Sequence, residues 1–297
     1  MRIATNTLIN LGIQNMMNQQ STVARINQQI SNGQRMQTAA DDPAGWSLAL
    51  GYQQGVSELD RFQSNVGTAR QRLNLEETAL ASSSDAIARV RELAIQANSG
   101  TLDAVGKSAI VSELTQLRDH LLSLANSRDA NGSYLFGGSK SATQAFTDPG
   151  TGVVYNGDTY QRLLDIGPGR SIADGDSGDN AYMGAGDVFQ MVDDLITQVQ
   201  TSPINQAAMT AVQNNLSAAF DNLNNVRATV GTRLSALDDA DNSLNTQRVA
   251  LQTALSGVQD VDMAQAASEL NKHSLMLQAA QMAYAKVQGL TLFNYLK

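Results

Sequence analysis

The sequence predicts a mainly α protein: an elongated antiparallel helical bundle, or coiled coil, of long helices with a small β-rich domain inserted at its tip. Three observations carry that prediction. Apolar residues return every seventh position at both ends of the chain, at Ile9, Met16, Val23 and Ile30 and again at Met263, Leu270, Leu277 and Tyr284. A third stripe, Met209, Leu216, Leu223, Val230, Leu237, Leu244, Leu251 and Val258, holds one register for 49 residues. Such spacing keeps an apolar seam turned toward a partner helix under a left-handed supercoil. Between the stripes, residues 127 to 186 are dominated by Gly, Asp, Ser and Thr and contain Pro149 and Pro168, a texture that ends helices and starts turns.

The elements follow in order. The first stripe stops near Ser31-Asn32-Gly33, where Gly33 can adopt the left-handed conformation that closes a helix. Asp42-Pro43 then reads as an N-cap followed by proline at the first helical position, where its missing N–H costs nothing. A helix of about 55 residues, on the order of 80 Å at 1.5 Å per residue, starts there. Its seam is Leu59, Phe62, Val66, Ala69, Leu73, Leu80, Ile87, Val90, Ala94 and Ala97, interrupted by Glu76 and Ser83 and ended by Asn98-Ser99-Gly100. A shorter helix with Ile110, Leu114, Leu117, Leu121 and Leu124 on one face should fold back on it through the Gly100 turn. In the insert, Asn156-Gly157 between β-prone residues predicts a hairpin, and Leu163, Leu164 and Ile166 predict another strand. Asp187 caps a short helix through Val188, Val192, Leu195 and Val199, and Ser202-Pro203 is a second cap-plus-proline start for the longest stripe. Asp241, Gln247 and Arg248 flank that seam and are placed to specify register. These boundaries divide the chain into residues 1–42, 43–130, 131–186, 187–258 and 259–297, with the two helical halves side by side and the chain ends meeting opposite the insert.

Composition sets limits on function. The chain has 297 residues, of which 42% are hydrophobic and 5% aromatic, which suits helix seams better than a large globular core. A net charge of −8 without a concentrated basic patch argues against nucleic acid. The absence of cysteine rules out disulfides and thiolate chemistry. The first residues lack the apolar core and cleavage site of a secretory signal, and no apolar run approaches the roughly 18 residues of a membrane span. No Asp or Glu precedes Asp41 and none follows Glu269. Helices so poor in ion pairs gain little stability alone and order when docked.

Catalytic constellations are absent. His120 flanks an apolar helical face and His273 falls in a heptad column with Ala266, Ala280 and Val287, both structural positions without an oriented base partner. Asp174-Gly175-Asp176-Ser177-Gly178-Asp179 resembles a calcium loop only faintly, since its third acid is out of phase and Ala185 stands at the closing position; it reads as a solvated acidic turn. Gly184-Ala185-Gly186 fails as a dinucleotide motif because Phe189 replaces the third glycine. Trp46 reads as a packing or interface residue. No cofactor and no metal is expected.

The run Ser31 to Gly45, with Gly33, Arg35, Asp41, Asp42, Pro43 and Gly45, resembles the signature of the bacterial flagellin superfamily. The stretch from Asp260-Val261-Asp262-Met263-Ala264 to Ala285 resembles that superfamily's C-terminal helix. Asp41-Asp42-Pro43, Tyr134-Leu135-Phe136-Gly137-Gly138 and the ending Leu290 to Leu296 are similar to its hook–filament junction branch, the hook-associated protein 3 type. The resemblance implies a secreted flagellar subunit, exported unfolded through the type III apparatus without a cleaved signal peptide and held before export by a chaperone at its C-terminal helix. It implies a ring of about eleven copies, a closed cyclic assembly, joining hook-associated protein 1 to flagellin, with no role for nucleic acid or membrane. Ile9, Met16, Val23 and Ile30 would meet Leu270, Leu277, Tyr284 and Val287 in the assembled tube. The alternatives are a short flagellin and a secreted coiled-coil adhesin whose β-rich insert is the active head.

Overall fold

The computed structural model describes residues 2–99, 103–201 and 204–289. The helices are α1 (Arg2–Asn32), α2 (Pro43–Asn98), α3 (Ala104–Ala125), α4 (Val188–Gln200), α5 (Gln206–Gln259) and α6 (Met263–Gly289). Two strand pairs stand between α3 and α4: β1 (Phe146–Thr147) with β2 (Val154–Tyr155), and β3 (Leu163–Gly167) with β4 (Arg170–Ala173), both antiparallel. The protein is therefore mainly α, built of long helices with a small β region. No described helix is long and apolar enough to cross a membrane. The chain forms two compact units, Leu59–Thr246 and Met1–Glu58 with Gln247–Lys297.

In the unit Leu59–Thr246, every predicted seam residue of α2 from Leu59 to Ala97 is buried. So are Met209, Leu216, Leu223, Val230, Leu237 and Leu244 of α5, together with Val212, Ala219, Val226 and Ala240 in the second column of the same heptads. Cross-helix polar contacts give the direction. Gln63 donates to Asp241 and Asn245, Arg70 to Asp238, Arg227 to Glu77, and Gln213 to the Ala94 carbonyl. The partners ascend on α2 as they descend on α5, so the two are antiparallel. α3 packs against α4, each begun by an aspartate cap: Asp103 accepts from Gly106 N–H, and Asp187 from Phe189 and Gln190 N–H. Such caps are worth about 1 kcal/mol each. The predicted turn at Gly100 and the cap-plus-proline start at Ser202-Pro203 lie outside the described residues; α5 begins instead after Asn205, whose side chain accepts from Ala207 and Ala208 N–H.

The insert differs from expectation in two places. Asn156-Gly157 is not the turn of a hairpin, because β2 pairs back onto β1 while Asn156 itself is tied to Ala145 and Thr147 and the Tyr155 hydroxyl donates to the carbonyls of Phe136 and Asp158. The real hairpin is β3–β4, turning at Pro168-Gly169 with Gly169 at φ +67°. Its first strand contains Leu163, Leu164 and Ile166 as predicted. Phe136, Phe146, Tyr182 and Phe189 form an aromatic core, with Phe136 and Phe146 edge-on to Tyr182 at 5.3 and 5.6 Å between ring centroids. The second difference is the acidic turn. Asp174 and Asp176 are 1% and 3% exposed, not solvated: Arg162 pairs with Asp174, and Arg233 donates to both oxygens of Asp176. Guanidiniums distant in sequence neutralise them, which is why the carboxylates can be buried.

Candidate assembly site at the paired terminal helices

In the other unit, α1 and α6 pack against each other. Gln19 Oε1 lies 2.8 Å from His273 Nδ1, and the Tyr284 ring reaches the Gly12 backbone, so the pair is antiparallel. Ile26 (1% exposed) and Ala266 (4%) are the buried positions of the two helices among the described residues. Ile9, Met16, Val23, Ile30, Leu270, Leu277 and Tyr284 are half-buried. Met263 stands apart at 53% exposed, and the Val287 side chain lies outside the described residues. The contacts of α1 include the column Gly12, Gln19 and Ile26, three residues after the apolar one. That column escapes hydrophobic pattern reading because only one of its members is apolar, yet heptad geometry places it on the seam.

A knot of backbone and carboxylate contacts joins the α1–α2 loop to the α5–α6 junction. Gly33 takes φ +70°, ends α1, and offers its carbonyl to Val261 N–H. Arg35 N–H donates to the Gln259 carbonyl at 2.8 Å, its guanidinium reaches the Val258 carbonyl at 3.1 Å, and the same group pairs with Asp42 at 3.3 Å. Gln34 bridges to Asp260. Asp41 accepts from the N–H groups of Thr38 and Gln37 and from the Thr38 hydroxyl, and those backbone bonds hold its carboxyl below the usual carboxylate range. Asp42 caps α2 through Gly45 N–H with Pro43 first in the helix; Asp262 caps α6 through Ala264 and Gln265 N–H. Asp260 accepts from the Ser256 hydroxyl. Each of Gly33, Arg35, Asp41, Asp42, Pro43, Gly45, Asp260 and Asp262 thus stands at one structural junction. Met36, 1% exposed and packed over Gly45, is a member the sequence reading missed.

The polar groups of this unit are spent on structure. Every carboxylate of the knot is used to end, start or tie a helix, and His273 is bound to an amide. Outside the α1–α6 contact, large apolar side chains face solvent: Leu11 and Met17 at 57%, Leu275 at 68% and Met282 at 65%. Trp46 also stands at the surface, 37% exposed, one turn into α2.

Comparison with known proteins identifies the family. Residues 3–141 match the description of the bacterial flagellin N-terminal helical region, and residues 213–296 match that of the bacterial flagellin C-terminal helical region. Flagellar hook-associated protein 3 of Escherichia coli K12 is 28% identical, with all of both chains covered. The protein of the same name from Salmonella typhimurium LT2 is 27% identical over 99% of each chain. Flagellin of Bacillus subtilis is 27% identical over 95% of this chain and 93% of its own. Among solved structures, a flagellar hook-associated protein from Vibrio parahaemolyticus superposes with a TM-score of 0.70 at 24% identity, covering 74% of this chain and all of that one. Hook-associated protein-3 from Legionella pneumophila gives 0.65 at 21% identity over 70% and 98%. At such identities the structures establish a shared fold.

Proposed function

We propose that this chain, which belongs to the bacterial flagellin family through both its terminal helical regions, is the structural subunit of the hook–filament junction of the bacterial flagellum. The observation that carries this reading is the match to two hook-associated protein 3 chains over 99% or more of both sequences. The chain works outside the cell as part of the flagellum, between hook-associated protein 1 and the flagellin filament. The resemblance to the junction branch of the family implies that its copies form a ring of about eleven, a cyclic assembly. It leaves the cell unfolded through the flagellar type III apparatus, without a cleaved signal peptide, after an export chaperone has held α6.

The α1–α6 pair supports the role. Its half-buried seam of Ile9, Met16, Val23, Ile30, Leu270, Leu277 and Tyr284 leaves exposed apolar side chains for neighbouring copies. Val287 extends the heptad spacing in the sequence, and Met263, exposed in the single chain, meets a neighbour in the ring. Aspartate at Met16 or Leu277 should block junction assembly while helix content in α2 to α5, read by hydrogen exchange, stays unchanged. Normal filaments from either variant would sink the assignment of the seam.

A second reading, a short flagellin, is favoured by the match to Bacillus subtilis flagellin over 95% of the chain. Gene deletion separates the two. Loss of a junction subunit releases flagellin monomers into the medium, and antibody labels a single band at the hook boundary; a minor flagellin leaves filaments largely intact and labels them along their length.

A further inference from the structure

Glu76 interrupts the apolar seam of α2 and is 1% exposed. Its Oε1 accepts from Asp176 N–H at 3.0 Å, while Oε2 is buried with no hydrogen-bond partner. Around it the elements of one unit converge. From α2 comes Arg72, which donates to Asp129 and to the Tyr134 and Leu135 carbonyls and lies 3.9 Å from Asp174. From the 174–178 loop come Asp174 and Asp176. From α5 comes Arg233, bound to Asp176, and from the segment before β3 come Arg162 on Asp174 and Gln161 on Asp176. Two turns further along α2, Ser83 shares a hydrogen bond with Tyr182.

The charges decide how this site works. Three guanidiniums, Arg72, Arg162 and Arg233, face three aspartates, Asp129, Asp174 and Asp176, before Glu76 is counted. A neutral Glu76 leaves the cluster balanced. An ionised Glu76 adds a fourth negative charge at an oxygen without a hydrogen-bond partner among the described residues, and such a buried charge costs far more than an unpaired neutral hydroxyl.

We infer that Glu76 is a proton-operated catch: with its proton it holds the 174–178 loop of the insert against α2 and α5, and without it the loop is released. Burial, followed by the charge of Asp176, pushes its carboxyl up to about 8, against the Asp176 N–H, Arg233 and Arg72, which act the other way. The sign follows from linkage. The unfolded chain loses this proton near 4.5 and the folded one near 8. The stabilisation is complete below 4.5, declines between these values, and is gone above about 8. Attachment of the insert is therefore tighter in acid than in alkali.

Glu76→Gln keeps an oxygen for Asp176 N–H and removes the titration. The full chain of both forms is compared by amide exchange under native conditions, because the sole tryptophan, Trp46, lies in the other unit. The ratio of the opening constants of the 174–178 amides, wild type over Glu76→Gln, should rise by up to tenfold per pH unit between about 5 and 8 and then level. A carbon-13 titration of the wild-type Glu76 carboxyl should show a midpoint near 8. A constant ratio, or a carboxyl midpoint below 6, overturns the inference; the second measurement decides it even if the glutamine variant folds poorly.

Discussion

Gly45 has no room for a methyl group. A Cβ there would stand 2.5 Å from Asp42 Oδ2 and 2.8 Å from Met36 Sδ, so the residue is glycine because the capping carboxylate and a buried thioether occupy its space. Gly45→Ala should push Asp42 off the start of α2 and off Arg35, at a loss of about 1–2 kcal/mol for the cap. The neighbouring Trp46, whose N–H donates to the Asp42 carbonyl, reports the change: its fluorescence should shift and its urea midpoint fall. The residues of this knot were legible in the sequence as a motif, and the turn chemistry of Gly33, Asp42 and Pro43 was legible physically. Arg35 was not, because its partners are the carbonyls of Val258 and Gln259, far along the chain and invisible to local reading.

At the scale of elements, seam position decides cost. Leu73 is 0% exposed and Leu75, two residues on, is 42% exposed. Leu73→Ala should destabilise the unit by about 2–5 kcal/mol, as cavities in packed cores do, whereas Leu75→Ala should stay within about 0.5 kcal/mol; thermal unfolding followed by circular dichroism separates them. Helix ends and seams were readable because heptad spacing, caps and prolines act over a turn or two. The insert was less so. Asn156-Gly157 carries a strong hairpin signal, but the competing pairing of β2 with β1 and the Tyr155 hydroxyl bonds outweigh it. Asp174 and Asp176 looked solvated because nothing nearby in sequence announces Arg72 or Arg233.

At the scale of the whole chain, Leu59–Thr246 contains the seams of α2 and α5, the α3–α4 pair and the aromatic core of the insert. Produced alone, that stretch should stay helical and unfold in one cooperative transition by circular dichroism, since it contains its own buried seams and aromatic core. A noncooperative melt would show that the core needs the terminal helices. The other unit depends on the longest-range contacts: Arg35 meets Val258 across 223 positions, and Gln19 meets His273 across 254. Contacts so remote are late events in folding, because a long loop must close before they form. Synthesis from the N-terminus makes Gly33 and Arg35 long before Gln259 and Val261. Closure of the knot is thus a proof of completeness, and a product cut short before residue 258 could never present a finished end.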